Sequence, residues 1–196
     1  MIDFIVLNNS KPRTLLLIHG LFTSSGYWLP YLKTLKDYQL IILDIDYSSL
    51  HDFDSYLKRV GDIIKTEAAG VVDAVISHSF GALIASRLPE ASRKSSFEIC
   101  PVYCATRSNT NDFVSEIERK IKFTMSSDQI WNILADVDSV LARHSASSSP
   151  PIRQLIYLPN ADPYFSYDVK LEFTEFQGDH FSIAAAVANI ERVLAG

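Results

Sequence analysis

The residues best suited to chemistry lie in the pentad Ser77-His78-Ser79-Phe80-Gly81, where an apolar run ends and an apolar helical pattern begins. A strand that turns directly into a helix through a small residue, a serine and a glycine at this spacing holds the serine on a strained corner. Bulk two positions before or after Ser79 would collide with a neighbouring strand or helix. The pattern predicts an outward serine hydroxyl at a helix N-terminus, although a plain strand-to-helix turn is the simpler interpretation of five residues.

The pentad resembles the nucleophile elbow of the α/β-hydrolase family, with Ser77 in place of the usual first glycine. The resemblance implies that Ser79 is a catalytic nucleophile. The replacement of glycine by serine is conservative in size, so it leaves only the exact strain of the corner open. Two further segments of the chain support the same family.

The first of these segments is His19-Gly20-Leu21, which follows an apolar strand pattern as the His-Gly loop does in this family. The resemblance implies that the backbone N–H groups of Leu21 and Phe80 form an oxyanion hole. These groups would stabilise the negative oxygen that forms when Ser79 attacks a carbonyl. His19 itself is predicted to hold the loop and to take no part in catalysis.

The second segment, FQGDHFSIAAAV, contains His180 between the last strand pattern and the last helix pattern, where this family places its base. A serine hydroxyl needs a neutral imidazole within hydrogen-bond reach to take its proton. Family order puts the orienting carboxylate after the penultimate strand, and LIYLPNADPYF offers Asp162 there. Asp168 and Asp179 are rivals, but Asp179 adjoins His180, so we expect its side chain to point away from the ring.

Seven apolar runs are predicted to be the strands that position these loops. They cover Asp3–Leu7, Thr14–Ile18, Gln39–Ile45, Asp73–Ser77, Phe97–Cys104, Ile152–Leu158 and Lys170–Phe176. The inner runs are continuously apolar, which is typical of strands covered on both faces. Alternation with helical patterns therefore predicts one α/β domain over residues 1–196, with a mostly parallel central sheet flanked by helices. This is also the α/β-hydrolase fold that the resemblance implies.

Helical spacing of apolar residues predicts helices at about Tyr27–Lys36, Asp52–Ala69, Phe80–Leu88 and Ser182–Leu194. Two further amphipathic pieces fill residues 107–150, a connection too long for a structureless loop. In this family an insertion at that point forms a lid, so a small helical lid is expected. Its apolar faces would either bury an acyl chain or pack on the core. The aromatic residues Phe22, Trp28 and Trp131 are candidates to line an apolar pocket, although lone aromatics more often belong to a core.

Composition limits the class of protein and partner. The chain of 196 residues is 47% hydrophobic with a net charge of −5, which suits one buried core and gives no nucleic-acid footprint. No apolar run reaches the roughly 18 residues of a membrane span. No secretory signal pattern is visible, so a cytoplasmic location is expected.

Cys100 and Cys104 would lie about 13 Å apart in one strand, as two buried thiols. No phosphate-binding or metal-ligand motif is present, so neither a metal nor a cofactor is predicted.

Together these residues predict a serine hydrolase that cleaves a carboxylic ester or an acyl thioester through an acyl-enzyme intermediate. The expected substrate is a small molecule or a carrier-bound acyl group. A positive patch on or near the insert offers a weak docking surface for an acidic acyl carrier protein; its members are Arg107, Arg119, Lys120, Lys122 and Arg143. The alternatives are a lyase or C–C bond hydrolase on the same scaffold and a non-catalytic protein that binds a small ligand.

Overall fold

A computed structural model describes residues 1–121, 125–144, 154–168 and 172–196 of the chain. The strands of this part of the chain are β1 (Ile2–Leu7), β2 (Thr14–Ile18), β3 (Gln39–Ile45), β4 (Ala74–His78), β5 (Ser96–Ile99), β6 (Ala105–Arg107), β7 (Gln154–Pro159), β8 (Phe165–Tyr167) and β9 (Phe173–Phe176). The end of the predicted insert from residue 145, and the predicted strand starts at Ile152 and Lys170, lie outside the described residues.

The main sheet has the strand order β1-β3-β2-β4-β5-β7-β9. Strand β1 pairs antiparallel with β3, and the other neighbouring pairs of this sheet are parallel. The short strands β6 and β8 form a separate antiparallel ribbon. The predicted fold class, a mostly parallel sheet flanked by helices, is therefore confirmed.

Five α-helices lie in the described residues: α1 (Phe53–Glu67), α2 (Phe80–Arg87), α3 (Thr110–Ile121), α4 (Ser127–His144) and α5 (Ala184–Ala195). Helix α1 forms as its spacing predicts, because the residues at every third or fourth position are buried: Phe53, Tyr56, Val60, Ile63 and Ile64. Helices α3 and α4 occupy the predicted insert. Within the described residues, no helix combines the length and the hydrophobicity that crossing a bilayer requires.

Two hydrophobic cores cover the two faces of the sheet. Along β2, Leu16 and Ile18 pack into the core that contains α1 and α2, whereas Leu15 and Leu17 pack into the core that contains α5. Successive side chains of a strand point to opposite faces, so both faces of β2 are buried. This burial explains the continuously apolar runs of the sequence.

Two predicted elements are wrong in their boundaries. The strand predicted over Phe97–Cys104 ends at Ile99, because Cys100 adopts a left-handed φ of 52° and Val102–Cys104 forms a 3-10 helix. Cys100 and Cys104 therefore do not share a strand; both are free thiols, the first buried and the second half-buried. The helix predicted over Tyr27–Lys36 is a 3-10 helix at Ser25–Tyr31 with Pro30 inside it.

Candidate active site

Three loops at the carboxyl edge of the sheet bring together Ser79, His180 and Asp162, which follow β4, β9 and β7. The His180 ring joins the other two side chains: its Nε2 lies 3.0 Å from Ser79 Oγ, and its Nδ1 lies 3.2 Å from Asp162 Oδ2. The residue surfaces of Ser79 and His180 are 6% and 1% exposed. The three residues predicted from different parts of the chain thus form one continuous chain of hydrogen-bonding groups.

Steric demands of the corner fix the small residues around Ser79. The serine has a left-handed φ of 54° with ψ −121°. A Cβ at Gly81 would lie 2.5 Å from the His19 carbonyl oxygen, and a Cβ at Gly20 would lie 2.8 Å from Ser79 Cβ. Ser77, two residues before the serine, is fully buried. The corner therefore has the close packing that the pentad predicts.

Backbone strain is concentrated at this edge of the sheet. Phe22 after β2, Ser79 after β4 and Cys100 after β5 have φ values of 59°, 54° and 52°. Residues other than glycine rarely adopt this conformation, and each such residue costs on the order of 1–3 kcal/mol. Strain of this kind clusters at functional sites, and one of the three strained residues here is Ser79, whose hydroxyl faces His180.

The Asp162 carboxylate is held by four donors. Its Oδ1 accepts from the backbone N–H groups of Tyr164 and Phe165 at 2.9 and 3.0 Å. Its Oδ2 accepts from Tyr167 Oη at 2.7 Å and faces His180 Nδ1. Burial raises the pKa of Asp162, but the hydrogen bonds from His180, Tyr167 and the backbone outweigh that effect and hold it below its ordinary value. The carboxylate therefore stays ionised at neutral pH.

The two rival aspartates lie away from the ring. Asp179 accepts from the backbone N–H groups of Phe181 and Ser182 at 2.7 and 2.8 Å, so its carboxylate caps the loop after the histidine. Asp168 is exposed. Its backbone N–H donates to the Cys104 carbonyl at 3.1 Å.

Aromatic rings fix the orientation of the His180 imidazole. Phe165 stacks on it with the ring centres 4.4 Å apart, and Phe113 approaches edge-on at 6.4 Å. The backbone carbonyl of His180 accepts a hydrogen bond from His78 Nε2 at 2.7 Å. Burial lowers the pKa of His78 well below its ordinary value, so this donor is a neutral imidazole.

His19 holds the loop after β2. Its Nε2 accepts the backbone N–H of Ile45 at 2.9 Å, and its Nδ1 donates to the Gly20 carbonyl at 2.8 Å. Its own carbonyl accepts from Tyr47 Oη at 2.7 Å. Burial lowers the pKa of His19, in agreement with an imidazole that accepts at Nε2. These contacts fix the backbone that leads to Leu21.

The predicted oxyanion residues lie beside the serine. Leu21 lines the same cavity as Ser79. Phe80 is the first residue of α2, and the first N–H groups of a helix have no partner within it. The role of the two N–H groups stays a prediction.

Two cavities adjoin the candidate site. The smaller, of about 380 Å³, contains Ser79 in its wall and is lined by apolar side chains, among them Leu21, Val102, Phe113, Leu134, Val137, Leu141 and Phe165. The larger, of about 810 Å³, is lined in part by Phe22 and by Phe181, the neighbour of His180. Helices α3 and α4 contribute to both walls. Val137 and Ile133 of α4 also belong to the core, so the insert both packs on the core and lines cavities.

Of the three predicted pocket aromatics, only Phe22 lines one of these cavities. Trp28 was wrongly predicted: it is completely buried in the core with Leu15 and Tyr38, because the 3-10 helix turns its side chain under the sheet. Trp131 was also wrongly predicted. It remains 42% exposed, and the cavity residues of α4 lie at Leu134, Val137 and Leu141 instead.

Tyr167 was missed by the sequence reasoning. Its hydroxyl lies 2.7 Å from Asp162 Oδ2 and 3.1 Å from His180 Nδ1, so it contacts two of the three site residues. Its strand, β8, is only three residues long and has no periodicity to detect. The one available signal was a tyrosine five residues after the candidate acid, which is too common to stand out.

The sheet topology, the left-handed serine corner and the Ser79–His180–Asp162 arrangement define the class of proteins with an α/β-hydrolase fold. The model of the alpha/beta hydrolase family matches residues 15–187, so the chain belongs to this family. No curated protein sequence matches the chain.

Solved structures show the same fold at low sequence identity. A monoacylglycerol lipase from Paleococcus ferrophilus has a TM-score of 0.65 at 14% identity, over 99% of this chain and 96% of its own. The NocB thioesterase domain was solved as a covalent complex with a fluorophosphonate nocardicin G analogue. It has a TM-score of 0.69 at 15% identity, over 99% of this chain and 100% of its own. The bottromycin epimerase BotH has a TM-score of 0.68 at 14% identity, over 100% of this chain and 94% of its own. At such identities the likeness establishes the fold, and function must be argued from the site.

Proposed function

We propose that this protein is a serine hydrolase that cleaves the ester or thioester of an apolar acyl group through an acyl-enzyme intermediate. The observation that carries the proposal is the unbroken chain from Ser79 Oγ to His180 and from His180 to Asp162, at 3.0 and 3.2 Å. A lone buried histidine beside a serine would be weak evidence. A histidine whose second nitrogen faces an ionised, fully satisfied carboxylate has the arrangement that general-base catalysis requires.

The reaction follows from these contacts. His180 Nε2 accepts the proton of Ser79 Oγ as the oxygen attacks the substrate carbonyl, and Asp162 stabilises the imidazolium that forms. The bond to the leaving alcohol or thiol then breaks, and His180 returns the proton to that group. Water, deprotonated by the same nitrogen, attacks the acyl-enzyme and releases the carboxylic acid, which restores the serine. The N–H groups of Leu21 and Phe80 are assigned to the oxyanion, where loss of one donor typically costs on the order of 3 kcal/mol.

The two cavities suggest where the two parts of the substrate bind. We assign the acyl chain to the 380 Å³ cavity, since Ser79 lies in its wall and most of its lining is apolar. The leaving group is assigned to the 810 Å³ cavity, which reaches the neighbours of Leu21 and His180. In this assignment α3 and α4 act as the lid over the acyl chain. The ion pair between Arg107 and Asp138 ties α4 to β6 at the wall of the acyl cavity.

Charge favours a small-molecule leaving group over an acidic carrier protein. The larger cavity is lined by three exposed carboxylates, Asp3, Asp44 and Asp46. Two cations of the proposed carrier patch are already paired within the chain, Arg107 with Asp138 and Arg119 with Glu116. An acidic partner would thus meet like charge at the cavity, and at the insert the charges of Arg107 and Arg119 are already offset by Asp138 and Glu116. Lys122 lies outside the described residues. A neutral or cationic alcohol fits this surface better.

A fluorophosphonate probe tests the proposed chemistry directly. We expect stoichiometric labelling of the native protein and none of Ser79→Ala. The matched control is Ser77→Ala, which removes a buried hydroxyl from the same pentad but has no contact with His180, so it should still be labelled. Labelling should be accompanied by hydrolysis of a p-nitrophenyl ester with an initial burst.

The outcomes separate the candidate functions. Absence of labelling in folded native protein would refute a catalytic serine and favour the non-catalytic ligand-binding protein. Labelling at Ser79 without turnover of any ester or thioester would refute the hydrolase assignment and favour a lyase-type reaction on the same scaffold.

A further inference from the structure

The Tyr167 hydroxyl forms hydrogen bonds with two of the three residues of the candidate site. Its hydroxyl lies 2.7 Å from Asp162 Oδ2 and 3.1 Å from His180 Nδ1. The side chains of both partners are almost completely buried, so water does not readily take the place of the hydroxyl when it is removed.

The hydrogen-bonding capacity of the tyrosine determines which way each bond runs. A phenol has one proton and two lone pairs. Burial raises the pKa of Tyr167 far above its ordinary value, with Cys100 and the negative Asp162 adding to the effect, so the hydroxyl keeps its proton. The ionised carboxylate is the strongest acceptor and the nearest, so it takes that proton. A lone pair of the hydroxyl oxygen then accepts from the Nδ1–H of His180.

We propose that Tyr167 is a fourth, positioning member of the site, which fixes the tautomer of His180 and weakens its hydrogen bond to Asp162 by sharing both the Asp162 carboxylate and the Nδ1–H proton. This inference rests on the proposed function. Donation from Tyr167 withdraws charge from Asp162 Oδ2 and makes the carboxylate a weaker partner for the ring. The His180 Nδ1–H is divided between two oxygens, at 3.2 Å and 3.1 Å. The ring is thereby held with its proton on Nδ1, and its hydrogen bond to Asp162 is weaker than an unshared Asp–His bond would be.

The β6–β8 ribbon explains how the tyrosine is held. Tyr167 is the last residue of β8, and its Cα pairs with that of Ala105 in β6. The next residue, Asp168, donates its backbone N–H to the Cys104 carbonyl at 3.1 Å. Arg107 of β6 forms the ion pair with Asp138 of α4. The ribbon therefore links the insert to the hydroxyl that contacts the acid and the base.

The decisive variant is Tyr167→Phe, which removes only the hydroxyl. Without it, Asp162 Oδ2 regains its full charge for the ring, and the Nδ1–H has one acceptor in place of two. We expect the acid limb of kcat/KM against pH to move upward by on the order of half a pH unit, and kcat to fall about tenfold at the optimum because the carboxylate loses one of its four donors. A purely structural role would lower activity and leave the acid limb in place.

An NMR measurement checks the proposal without turnover. The His180 Nδ1 proton resonance, assigned by its loss in His180→Gln, should move downfield in Tyr167→Phe because its bond to Asp162 becomes stronger. The matched control is Tyr157→Phe, which also removes one hydroxyl, bonded to Asn189 Oδ1 at 3.2 Å and remote from the site. It should change neither the resonance nor the pH profile.

The results distinguish this inference from the proposed function. If native protein is neither labelled by fluorophosphonate nor active, the proposed function fails, while the resonance still tests the shared proton. If native protein is active and Tyr167→Phe leaves both readouts unchanged, the positioning role is overturned. Should Tyr167→Phe not fold, 3-fluorotyrosine at position 167 keeps every hydrogen bond and strengthens the donor. It should shift the acid limb downward and the resonance upfield, and an absence of shift would likewise overturn the role.

Discussion

Replacement of Asp162 by asparagine gives the sharpest test of the site, because the backbone dictates how the amide must sit. The carboxylate Oδ1 accepts from two backbone N–H groups, of Tyr164 and Phe165. In Asp162→Asn the amide oxygen must take this place, since an NH₂ group there would face two donors. The NH₂ group then occupies the position of Oδ2, opposite His180 Nδ1 and the Tyr167 hydroxyl.

This orientation reverses the tautomer of the histidine. An NH₂ group beside Nδ1 can only donate, so Nδ1 must present its lone pair and the ring proton moves to Nε2. Nε2 then faces Ser79 Oγ at 3.0 Å as a donor and cannot accept the serine proton. Loss of the correct tautomer in a triad of this geometry lowers kcat about 10⁴-fold, equivalent to about 5.5 kcal/mol of activation free energy. The fold should be retained, because the amide oxygen keeps both backbone hydrogen bonds.

The assay is ester hydrolysis together with the rate of fluorophosphonate labelling, and thermal unfolding serves to verify the fold. Asp179→Asn is the matched control: it neutralises the residue next to His180, but its amide oxygen can still cap Phe181 and Ser182. It should retain activity within a few fold. An Asp162→Asn variant that is folded and within tenfold of native activity would refute the assignment of the acid, and a large loss in Asp179→Asn instead would transfer that role.

Three further predictions concern packing, buried charge and the leaving group. Gly81→Ala should destabilise the protein by about 1–3 kcal/mol, because the added Cβ would collide with backbone oxygens. Gly61→Ala in α1 is the control: its Cβ would meet no atom within 4 Å, so it should stabilise the protein by about 0.5–1 kcal/mol. Denaturant unfolding measures both free-energy changes. Burial raises the pKa of Glu98 to about 7, so stability should fall as pH rises from 4.5 to 7. Glu98→Gln should remove on the order of 3 kcal/mol of that fall, and parallel slopes for the two proteins would contradict this. Asp44→Asn removes one carboxylate from the wall of the larger cavity, so it should lower kcat/KM for a cationic choline ester about threefold. Added salt should weaken this effect, and kcat/KM for the ethyl ester of the same acid should not change.

The sequence was sufficient for the order of the site residues. Ser79 and Asp162 each follow a strand with a clear apolar run, and His180 follows a shorter strand in which apolar and polar residues are mixed. Parallel strands bring their carboxyl ends to one edge of the sheet. Their positions therefore depend on strand order, which the family resemblance predicts. The small residue at Gly81 was equally predictable, since its steric cause is local to the corner.

Other features depend on contacts that a linear pattern does not contain. The run Phe97–Cys104 is apolar throughout, so nothing in its periodicity marks the end of β5 at Ile99 or the left-handed turn at Cys100. Trp28 is apolar and near the candidate site in sequence, yet the 3-10 helix directs it into the opposite core. Tyr167 reaches Asp162 and His180 only because a three-residue ribbon folds back over the sheet edge.

Three residues with a left-handed φ lie where the sheet meets the candidate site. Each of them would be relaxed by glycine, and each side chain contributes something that glycine would remove. Ser79 supplies the hydroxyl that faces His180, Cys100 supplies a buried thiol, and Phe22 lines the larger cavity. The strands that precede these three residues are buried along their whole length, so the packing of the sheet holds the strained backbone in place. A chain selected for stability alone would gain free energy at all three positions, so their retention of side chains points to the chemistry of this edge.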